Sequence, residues 1–220
     1  MRNTIIIVGL MVNIFVICCT PNPSVLAEAN KFYQKYKNNF DKKYVDHFPA
    51  KMGTSTVHTP VFSSMEQKKN NFSLILYQYN VKIDEIQDVN AKFKKTAIAE
   101  YKSSDPCLLV INGFETSETY EYRTVPVVDS TLLNLKCYSN KYPVPNFINY
   151  EDYNKDRPLR LDNTFTIYVL ESKKMDSDSW KKEFGMKPNK QMPDNWKNGY
   201  SKGVAISQEK KTVIYWMVIF

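Results

Sequence analysis

Residues 202–220, KGVAISQEKKTVIYWMVIF, decide the fold that this sequence predicts. Two runs rich in β-branched and aromatic residues, 203–207 and 212–220, flank the polar tetrapeptide QEKK. Two strand-forming runs joined by a short polar connection are typical of a β-hairpin. We expect the second run to lie inside a sheet, because an exposed apolar strand would promote aggregation.

Three upstream segments have the same enrichment in aliphatic and aromatic residues. They are FSLILYQYNV at 72–81, CLLVING at 107–113 and TFTIYVLESK at 164–173. Each is a short apolar run of the kind that predicts a strand. Residues 50–71 and 141–147 are predicted as loops, the second because it contains two prolines.

Two segments have apolar residues three and four positions apart, which is typical of an amphipathic helix. The first is 24–40. The second is 84–105, in which acids come first and lysines follow, an order that suits the helix dipole. Residues 176–185 predict one further helical turn. We therefore expect an α+β fold: a single, mainly antiparallel sheet with a C-terminal β-hairpin and with helices packed on one face. The length favours one domain over 25–220.

The start of the chain combines a single positive charge, Arg2, with the apolar run IIIVGLMVNIFVI at 5–17. A bilayer-spanning helix needs ~20 apolar residues, whereas the apolar core of a signal peptide needs about 7–15. The length of the run therefore predicts a signal peptide over 1–18 rather than a membrane-spanning helix.

The sequence VICC at 16–19 resembles the lipobox of bacterial lipoproteins. This resemblance implies cleavage before Cys19 and acylation of that residue with chains such as palmitate, which hold a protein on a membrane by burying methylene groups. Residues 19–24 would then be the lipid-attachment cysteine and a short, proline-restricted tether. Three alternatives stay open: acylation of Cys18, which would place the bulky Ile17 before the cleavage site; cleavage by an ordinary signal peptidase near Ala27 or Ala29; and an uncleaved anchor.

The residue after Cys19 is Thr20, not the aspartate that would imply retention in the inner membrane by resemblance to enteric lipoproteins. We therefore expect a lipoprotein of the outer membrane. No acidic run follows Cys19 as a surface-export signal, which favours the periplasmic leaflet over the surface leaflet. Cleavage by an ordinary signal peptidase would instead give a soluble secreted or periplasmic protein.

The formal net charge is +7, and removal of 1–18 would leave 29 basic and 23 acidic residues, a net charge of about +6. The excess is almost entirely lysine, since arginine occurs only at Arg2, Arg123, Arg157 and Arg160. Nucleic-acid-binding proteins rely on arginine for bidentate contacts to phosphate and guanine. The composition therefore argues against a nucleic-acid partner.

Recognisable catalytic and metal-binding motifs are missing from the sequence. The two histidines, His47 and His58, belong to neither an HExxH nor an HxH motif, so no zinc site is predicted. No GxSxG sequence and no P-loop is present, and the acids are scattered. The sequence therefore assigns no catalytic residue, no metal site and no cofactor.

Two cysteines of the predicted domain, Cys107 and Cys137, enclose a loop of about 30 residues. In an oxidising compartment such a pair favours a structural disulfide. Two buried free thiols are the alternative that the sequence leaves open. A catalytic thiol would need a base within reach.

Aromatic residues around the loop at 141–147 are candidates for a binding surface. They are Tyr142, Phe147, Tyr150 and Tyr153. Trp180 and Trp196 are the next candidates. Exposed aromatic residues suggest carbohydrate or protein binding, and packing beneath a long loop is the structural alternative.

Several stretches in chain order resemble small bacterial lipoproteins of the Bacteroidetes type. Besides the lipobox-like start they are YVDHFP at 44–49, CLLVING at 107–113, LKCYSNKYPVPNF at 135–147 and NGYSKGVAISQEKKTVIYWMVIF at 198–220. The resemblance covers most of the chain. It implies no known activity, substrate or catalytic residue.

These observations favour a non-enzymatic binding or interaction protein that a lipid anchors to the cell envelope. Its partner would be another envelope protein, and the sequence leaves a small-molecule ligand unknown. The alternative is an envelope hydrolase acting on glycan or peptide. A pocket that brings His47 or His58 close to an acid would favour the hydrolase, and an exposed aromatic patch would favour binding.

Overall fold

The computed structural model describes most of the chain that follows the predicted tether. The described residues are 23–52, 57–63, 72–112, 130–133, 135–147, 161–186, 188–189 and 191–220. The predicted signal peptide at 1–18, the lipid-attachment residue Cys19 and most of its tether lie outside them, as do Tyr150 and Tyr153. The division of the chain into signal peptide, tether and domain stays a prediction.

Helices and strands alternate irregularly along the described residues. The helices are α1 (Pro23–Lys37), α2 (Lys42–Val45), α3 (Ile83–Thr96), α4 (Ser130–Leu133) and α5 (Ser177–Phe184). The strands are β1 (Val57–Ser63), β2 (Phe72–Tyr79), β3 (Ala99–Lys102), β4 (Thr166–Lys174), β5 (Gly199–Ser207) and β6 (Thr212–Ile219). Two 3₁₀ turns lie at Lys136–Tyr138 and Asp194–Trp196.

The described strands form one six-stranded sheet in the order β1-β2-β6-β5-β4-β3. Every neighbouring pair is antiparallel. The predicted C-terminal hairpin is β5–β6, with Ile206 opposite Val213, and it occupies the two central positions of the sheet. The α+β prediction with a C-terminal hairpin is therefore confirmed.

Both faces of the sheet are covered, which explains why every residue of β5 and β6 is buried. The first face, here called the helix face, packs against α1, α2, α3 and α5 through side chains that include Tyr33, Tyr44, Ile86 and Trp180. The second face, here called the loop face, is covered mainly by irregular segments. Its core includes Leu109, Val144, Phe165 and Trp196.

The segment at 107–113 was predicted as a strand, and the structure places its described residues, 107–112, outside the sheet. Its only described ladder contact is a single parallel bridge between Val110 and Val144, supported by the hydrogen bonds Ile111 N to Val144 O and Val144 N to Leu109 O, both 2.9 Å. The apolar run is buried because it covers the loop face. A continuous apolar run indicates that a segment is buried, but it does not indicate that the segment is a strand.

The helix predicted over 84–105 ends at Thr96, and β3 begins at Ala99. The chain leaves the helix at Ala97, whose backbone is extended, and Ile98 N then donates to Val169 O at 2.8 Å. Tyr101 continued the helical spacing, but it lies on β3 and is buried in the core of the loop face. The sequence position of Tyr101 matches the helical spacing although the residue lies on a strand, so the predicted helix was too long.

Strand β1 lies within 50–71, which was predicted as a loop. Pro60 weakens the strand pattern because proline cannot donate a ladder hydrogen bond. The strand tolerates this residue because β1 is an edge strand that pairs only with β2.

Helix α5 is longer than the single turn predicted for 176–185. The Asp176 side chain caps its start by accepting from Ser179 N at 2.8 Å, and Gly185 ends it with a left-handed backbone, φ 64°. These two caps define a two-turn helix. No helix in the described part of the chain is long and apolar enough to cross a bilayer.

Candidate ligand-binding pocket

A β-bulge in β4 determines which side chains reach each face near the end of this strand. Glu171 lies opposite Lys202, although a regular ladder continued from Val169 would place Leu170 there. Because successive residues of a strand point to opposite faces, the extra residue reverses the alternation. Glu171 consequently shares the helix face with Lys202, and Lys174 is directed to the loop face.

A cavity of about 490 Å³ lies between residues 139–142 and the C-terminal end of β4. Its lining residues are Ser139, Asn140, Lys141, Tyr142, Ser172, Lys173, Lys174 and Trp196. They include three lysines and no acidic residue. The volume of this pocket falls within the range of about 300–1,000 Å³ that is typical of small-molecule sites.

Tyr142 and Trp196 form the aromatic part of this lining. Their ring centroids are 6.2 Å apart in an edge-to-face arrangement. Trp196 is only 5% exposed and also packs against Phe220, with ring centroids 6.3 Å apart. The backbone N–H of Tyr142 donates to the Tyr101 hydroxyl at 2.9 Å. These contacts fix both rings in the absence of a ligand.

The three lysines of the pocket differ in their partners. Lys174 Nζ lies 4.9 Å from the centroid of the Trp196 ring, a cation–π contact. Lys141 Nζ is 2.7 Å from Asp105 Oδ2. Partial burial would raise the pKa of Asp105, but the hydrogen bonds from Lys141 and from Cys107 N, together with the charge of Lys141, lower that pKa below its ordinary value. Lys141 is therefore neutralised. Lys173 lies opposite Tyr200 and is directed to the helix face, so it lines the pocket without presenting its ammonium there. Lys174 supplies the charge that an anionic ligand meets.

Cys107 and Cys137 lie together beside the pocket. Both are half-buried and unbonded, and the Cys137 thiol is a hydrogen-bond partner of the Cys107 thiol. This contact is the main reason why the pKa of Cys107 lies above its ordinary value. The predicted disulfide stays a prediction, and the fold places the two thiols near each other.

The aromatic residues predicted as a binding surface separate into two groups. Tyr142 and Trp196 meet in the pocket, whereas Phe147 is fully buried and packs edge-to-face on Trp216 at 6.3 Å. Trp180 is fully buried among the helices and lies 4.8 Å from Phe184, measured between ring centroids. Both belong to the core. Sequence position near prolines had not distinguished a ring on the surface from a ring beneath it.

A cluster of charged side chains lies on the helix face, on the other side of the sheet. Lys202 is only 6% exposed, and its Nζ donates to Asp46 Oδ1 at 3.0 Å and to Lys43 O at 2.5 Å. Glu171 Oε2 is 3.1 Å from the same ammonium, and the Tyr200 hydroxyl donates to Glu171 Oε1. Partial burial would raise the pKa of Asp46 and of Glu171, but the contacts with Lys202 help to lower both pKa values. The cluster ties the residues around α2 to β4 and β5.

The second charged pair joins α2 to α5. Glu183 accepts a hydrogen bond from the Tyr44 hydroxyl at 2.7 Å and lies 3.2 Å from Lys43 Nζ. Burial, and after it the bond to Glu183, raises the pKa of Tyr44. The Tyr44 ring also packs edge-to-face on Tyr200, with ring centroids 4.8 Å apart. Tyr44 therefore connects the carboxylate of α5 with the charge cluster.

His47 was the residue whose approach to an acid would favour a hydrolase. Its side chain is 5% exposed, its Nε2 donates to Trp216 O at 3.0 Å, and its Nδ1 lies 3.7 Å from Asp46 Oδ1. Burial lowers its pKa to about 4, so the imidazole is neutral at pH 7. An enclosed ring that already serves a backbone carbonyl fits a structural histidine. The side chain of His58 lies outside the described residues.

Several site residues had not been predicted from the sequence. Lys141, Lys173 and Lys174 resemble any other surface lysines until the bulge and the turn place them around one cavity. Lys202 carried a clearer signal, because it is a lone charge within the buried strand GYSKGVAIS. In the described residues, no group of three or more histidine, cysteine or acidic side chains is arranged to hold a metal ion.

Comparison with protein-family models, with curated proteins and with solved structures found no match to this chain.

Proposed function

We propose that this chain is a non-enzymatic lipoprotein, anchored to the cell envelope through Cys19, that binds a small acidic saccharide in the pocket between residues 139–142 and the end of β4. The observation that carries the proposal is the lining itself, in which the Lys174 ammonium meets two aromatic rings and several hydroxyl and amide groups, with no acidic residue in the lining. The lipobox-like sequence around Cys19 supports the envelope location.

The chemistry of the lining selects the class of ligand. Lys174 can pair with a carboxylate, because it is directed to the loop face and no lining acid neutralises it. Ser139, Asn140 and Ser172 offer hydroxyl and amide groups that suit sugar hydroxyls. The aromatic edges of Tyr142 and Trp196 provide an apolar contact for a sugar ring. An acidic sugar offers a carboxylate, hydroxyl groups and an apolar ring surface, whereas a neutral sugar has no group that pairs with the Lys174 ammonium.

The test is the affinity of the purified full chain in detergent for a uronic-acid disaccharide, measured by isothermal titration calorimetry. The matched neutral disaccharide, which has a hydroxymethyl group in place of each carboxylate, is the ligand control. We expect binding of the acidic ligand that weakens as the salt concentration rises, since charge pairing is screened. Equal affinity for the two disaccharides, or no binding of either, would refute the proposed ligand class.

A pair of lysine variants locates the binding. Lys174→Met removes the ammonium over Trp196 and should weaken binding of the acidic disaccharide about tenfold, the loss expected for one charge-assisted contact. Lys92→Met is the matched control, because Lys92 Nζ lies 4.9 Å from the centroid of the Phe93 ring on α3, outside the pocket. Lys92→Met should bind the acidic disaccharide as the wild type does. Incubation with the ligand also checks for a hydrolase, which would release monosaccharide.

A further inference from the structure

Cys107 and Cys137 come from two different segments that cover the loop face. Cys107 lies two residues after Asp105, the partner of Lys141, and Cys137 lies in the 3₁₀ turn just before the pocket residues 139–142. The Cys137 thiol is the group with the largest influence on the Cys107 thiol, so the two lie near each other, and both residues are half-buried. Two neighbouring thiols that are partly open to solvent can be oxidised without unfolding the protein.

The backbone around the two cysteines is already held together. Ile111 N and Val144 N donate across the two segments at 2.9 Å each, and Cys107 N donates to Asp105 Oδ1 at 2.8 Å. The ion pair between Asp105 and Lys141 adds a third connection. A disulfide requires two backbones in close proximity, and these contacts maintain that proximity.

We propose that Cys107 and Cys137 form a reversible disulfide that fixes the wall of the pocket at 139–142 and raises its affinity for the acidic ligand. This inference rests on the proposed function, because it assigns a regulation to the same pocket. In the reduced form the turn at 136–138 is held by non-covalent contacts alone. In the oxidised form the cross-link orders the wall before the ligand arrives.

The oxidation proceeds by thiol–disulfide exchange with an external disulfide, of the kind carried by a protein oxidoreductase or by oxidised glutathione. The thiolate of one cysteine attacks the external disulfide, forms a mixed disulfide and displaces one external thiolate. The other cysteine attacks the mixed disulfide and displaces the second external thiolate. Two protein thiols are oxidised, two external sulfur atoms are reduced, and the two thiol protons end on the released thiols.

The expected effect on binding follows from the order that the cross-link imposes. A binding site whose side chains are already fixed loses less conformational entropy when the ligand binds, which corresponds to a gain of about two- to tenfold in affinity. Only one residue separates Cys137 from Ser139, so the constraint acts directly on the pocket wall.

The test combines a redox titration with a binding measurement on the full chain in detergent. Samples equilibrated in glutathione buffers are alkylated with iodoacetamide, then reduced and labelled with N-ethylmaleimide, and the peptides that contain Cys107 and Cys137 are quantified by mass spectrometry. We expect both cysteines to become protected together, with a single midpoint. Independent alkylation, or two free thiols in excess oxidised glutathione, would overturn the proposal.

The second readout separates this inference from the proposed function. We expect the oxidised wild type to bind the uronic-acid disaccharide about two- to tenfold more tightly than the reduced wild type. Cys107→Ser should bind the disaccharide with equal affinity in both buffers. Equal affinity of the two wild-type forms, with the disulfide present, would refute the coupling but leave the proposed function intact. No binding in either form would refute the proposed function and the coupling together.

Discussion

At the scale of single residues, the buried imidazole of His47 couples stability to pH. Burial lowers its pKa from 6.5 to about 4, so the folded protein keeps neutral a group that the unfolded chain protonates. The corresponding stability is fully present above pH 6.5 and is lost as the pH falls towards about 4. The pKa values of Asp46 and Glu171 are also lowered, so their contribution is lost at still lower pH.

Replacement of His47 by glutamine should remove most of the stability loss between pH 6.5 and about 4. The amide can still donate to the Trp216 carbonyl, but it binds no proton in this range. The pKa shift corresponds to roughly 3 kcal/mol of unfolding free energy. Urea unfolding at a series of pH values measures it, and His58→Gln is the control that should keep the wild-type slope. An unchanged slope in His47→Gln would contradict the assignment.

In the charge cluster around Lys202, removal of the positive charge and removal of the negative charges should cost different amounts of unfolding free energy. Lys202→Met removes the buried charge, and Asp46 and Glu171 are exposed enough to be solvated, with side chains 53% and 46% exposed. We expect a loss of about 1 kcal/mol or less for this variant. The double variant Asp46→Asn, Glu171→Gln leaves the buried ammonium without an anionic partner and should cost roughly 3 kcal/mol or more.

Urea unfolding at pH 7 compares these variants. If Lys202→Met is more stable than the double variant, the burial of an unpaired ammonium costs more than the loss of the lysine side chain. If Lys202→Met costs more than the double variant, the packing of the lysine stem on the sheet outweighs its charge, and the account of the cluster is wrong.

At the scale of elements, Gly203 permits the close packing of the two central strands. A Cβ at this position would lie 2.1 Å from Tyr168 O and 2.5 Å from Cζ2 of Trp216, the cross-strand partner of Gly203. Gly185 offers a contrast to Gly203. A Cβ at Gly185 would meet no atom within 4 Å, but the backbone there has a φ of 64°. The first glycine is required by space and the second by backbone conformation.

Alanine substitutions at the two glycines should therefore differ in size. Gly203→Ala forces backbone and indole apart in the centre of the sheet and should cost roughly 3 kcal/mol or more. Gly185→Ala only strains the end of α5 and should cost about 1 kcal/mol. Thermal and urea unfolding measure both costs. Similar losses at the two positions would show that the indole of Trp216 moves aside without difficulty.

The sequence predicted those elements whose periodicity has a single cause. The hairpin β5–β6, the strands β2 and β4 and the helix α1 follow directly from their apolar patterns. The strand predicted at 107–113 and the long helix at 84–105 did not, because burial beneath the sheet and burial within it leave the same apolar signature. A bulge, such as the extra residue Leu170, depends on a partner strand that the local sequence does not specify.

At the scale of the whole molecule, the sheet separates two sites of different character. The groups of the charge cluster on the helix face are paired with one another, whereas the pocket on the loop face has Lys174 available to a ligand. Tyr142 and Trp196 could be proposed from the sequence as candidate binding residues. Lys174 could not, because its position depends on the bulge in β4 and on the loop that carries Trp196 to the same face.

Membrane attachment is the prediction for the chain as a whole. Metabolic labelling with an alkyne analogue of palmitate should label the wild type and Cys18→Ser but not Cys19→Ser, because Cys19 is the expected acylation site. Membrane fractionation should move Cys19→Ser out of the membrane pellet. Absence of label from the wild type, with soluble protein that begins near Ala27 or Ala29, would contradict the lipoprotein assignment and favour a soluble secreted or periplasmic protein.

The most direct test of the central claim is a map of the ligand contacts by NMR. Addition of the uronic-acid disaccharide to the ¹⁵N-labelled full chain in detergent should shift amide signals mainly in 139–142, in 172–174 and at Trp196, including its indole N–H. The charge cluster around Lys202 should stay unshifted. Shifts concentrated around residues 44–47 and 200–202, or no shifts at saturating ligand, would contradict the claim that the pocket on the loop face is the binding site.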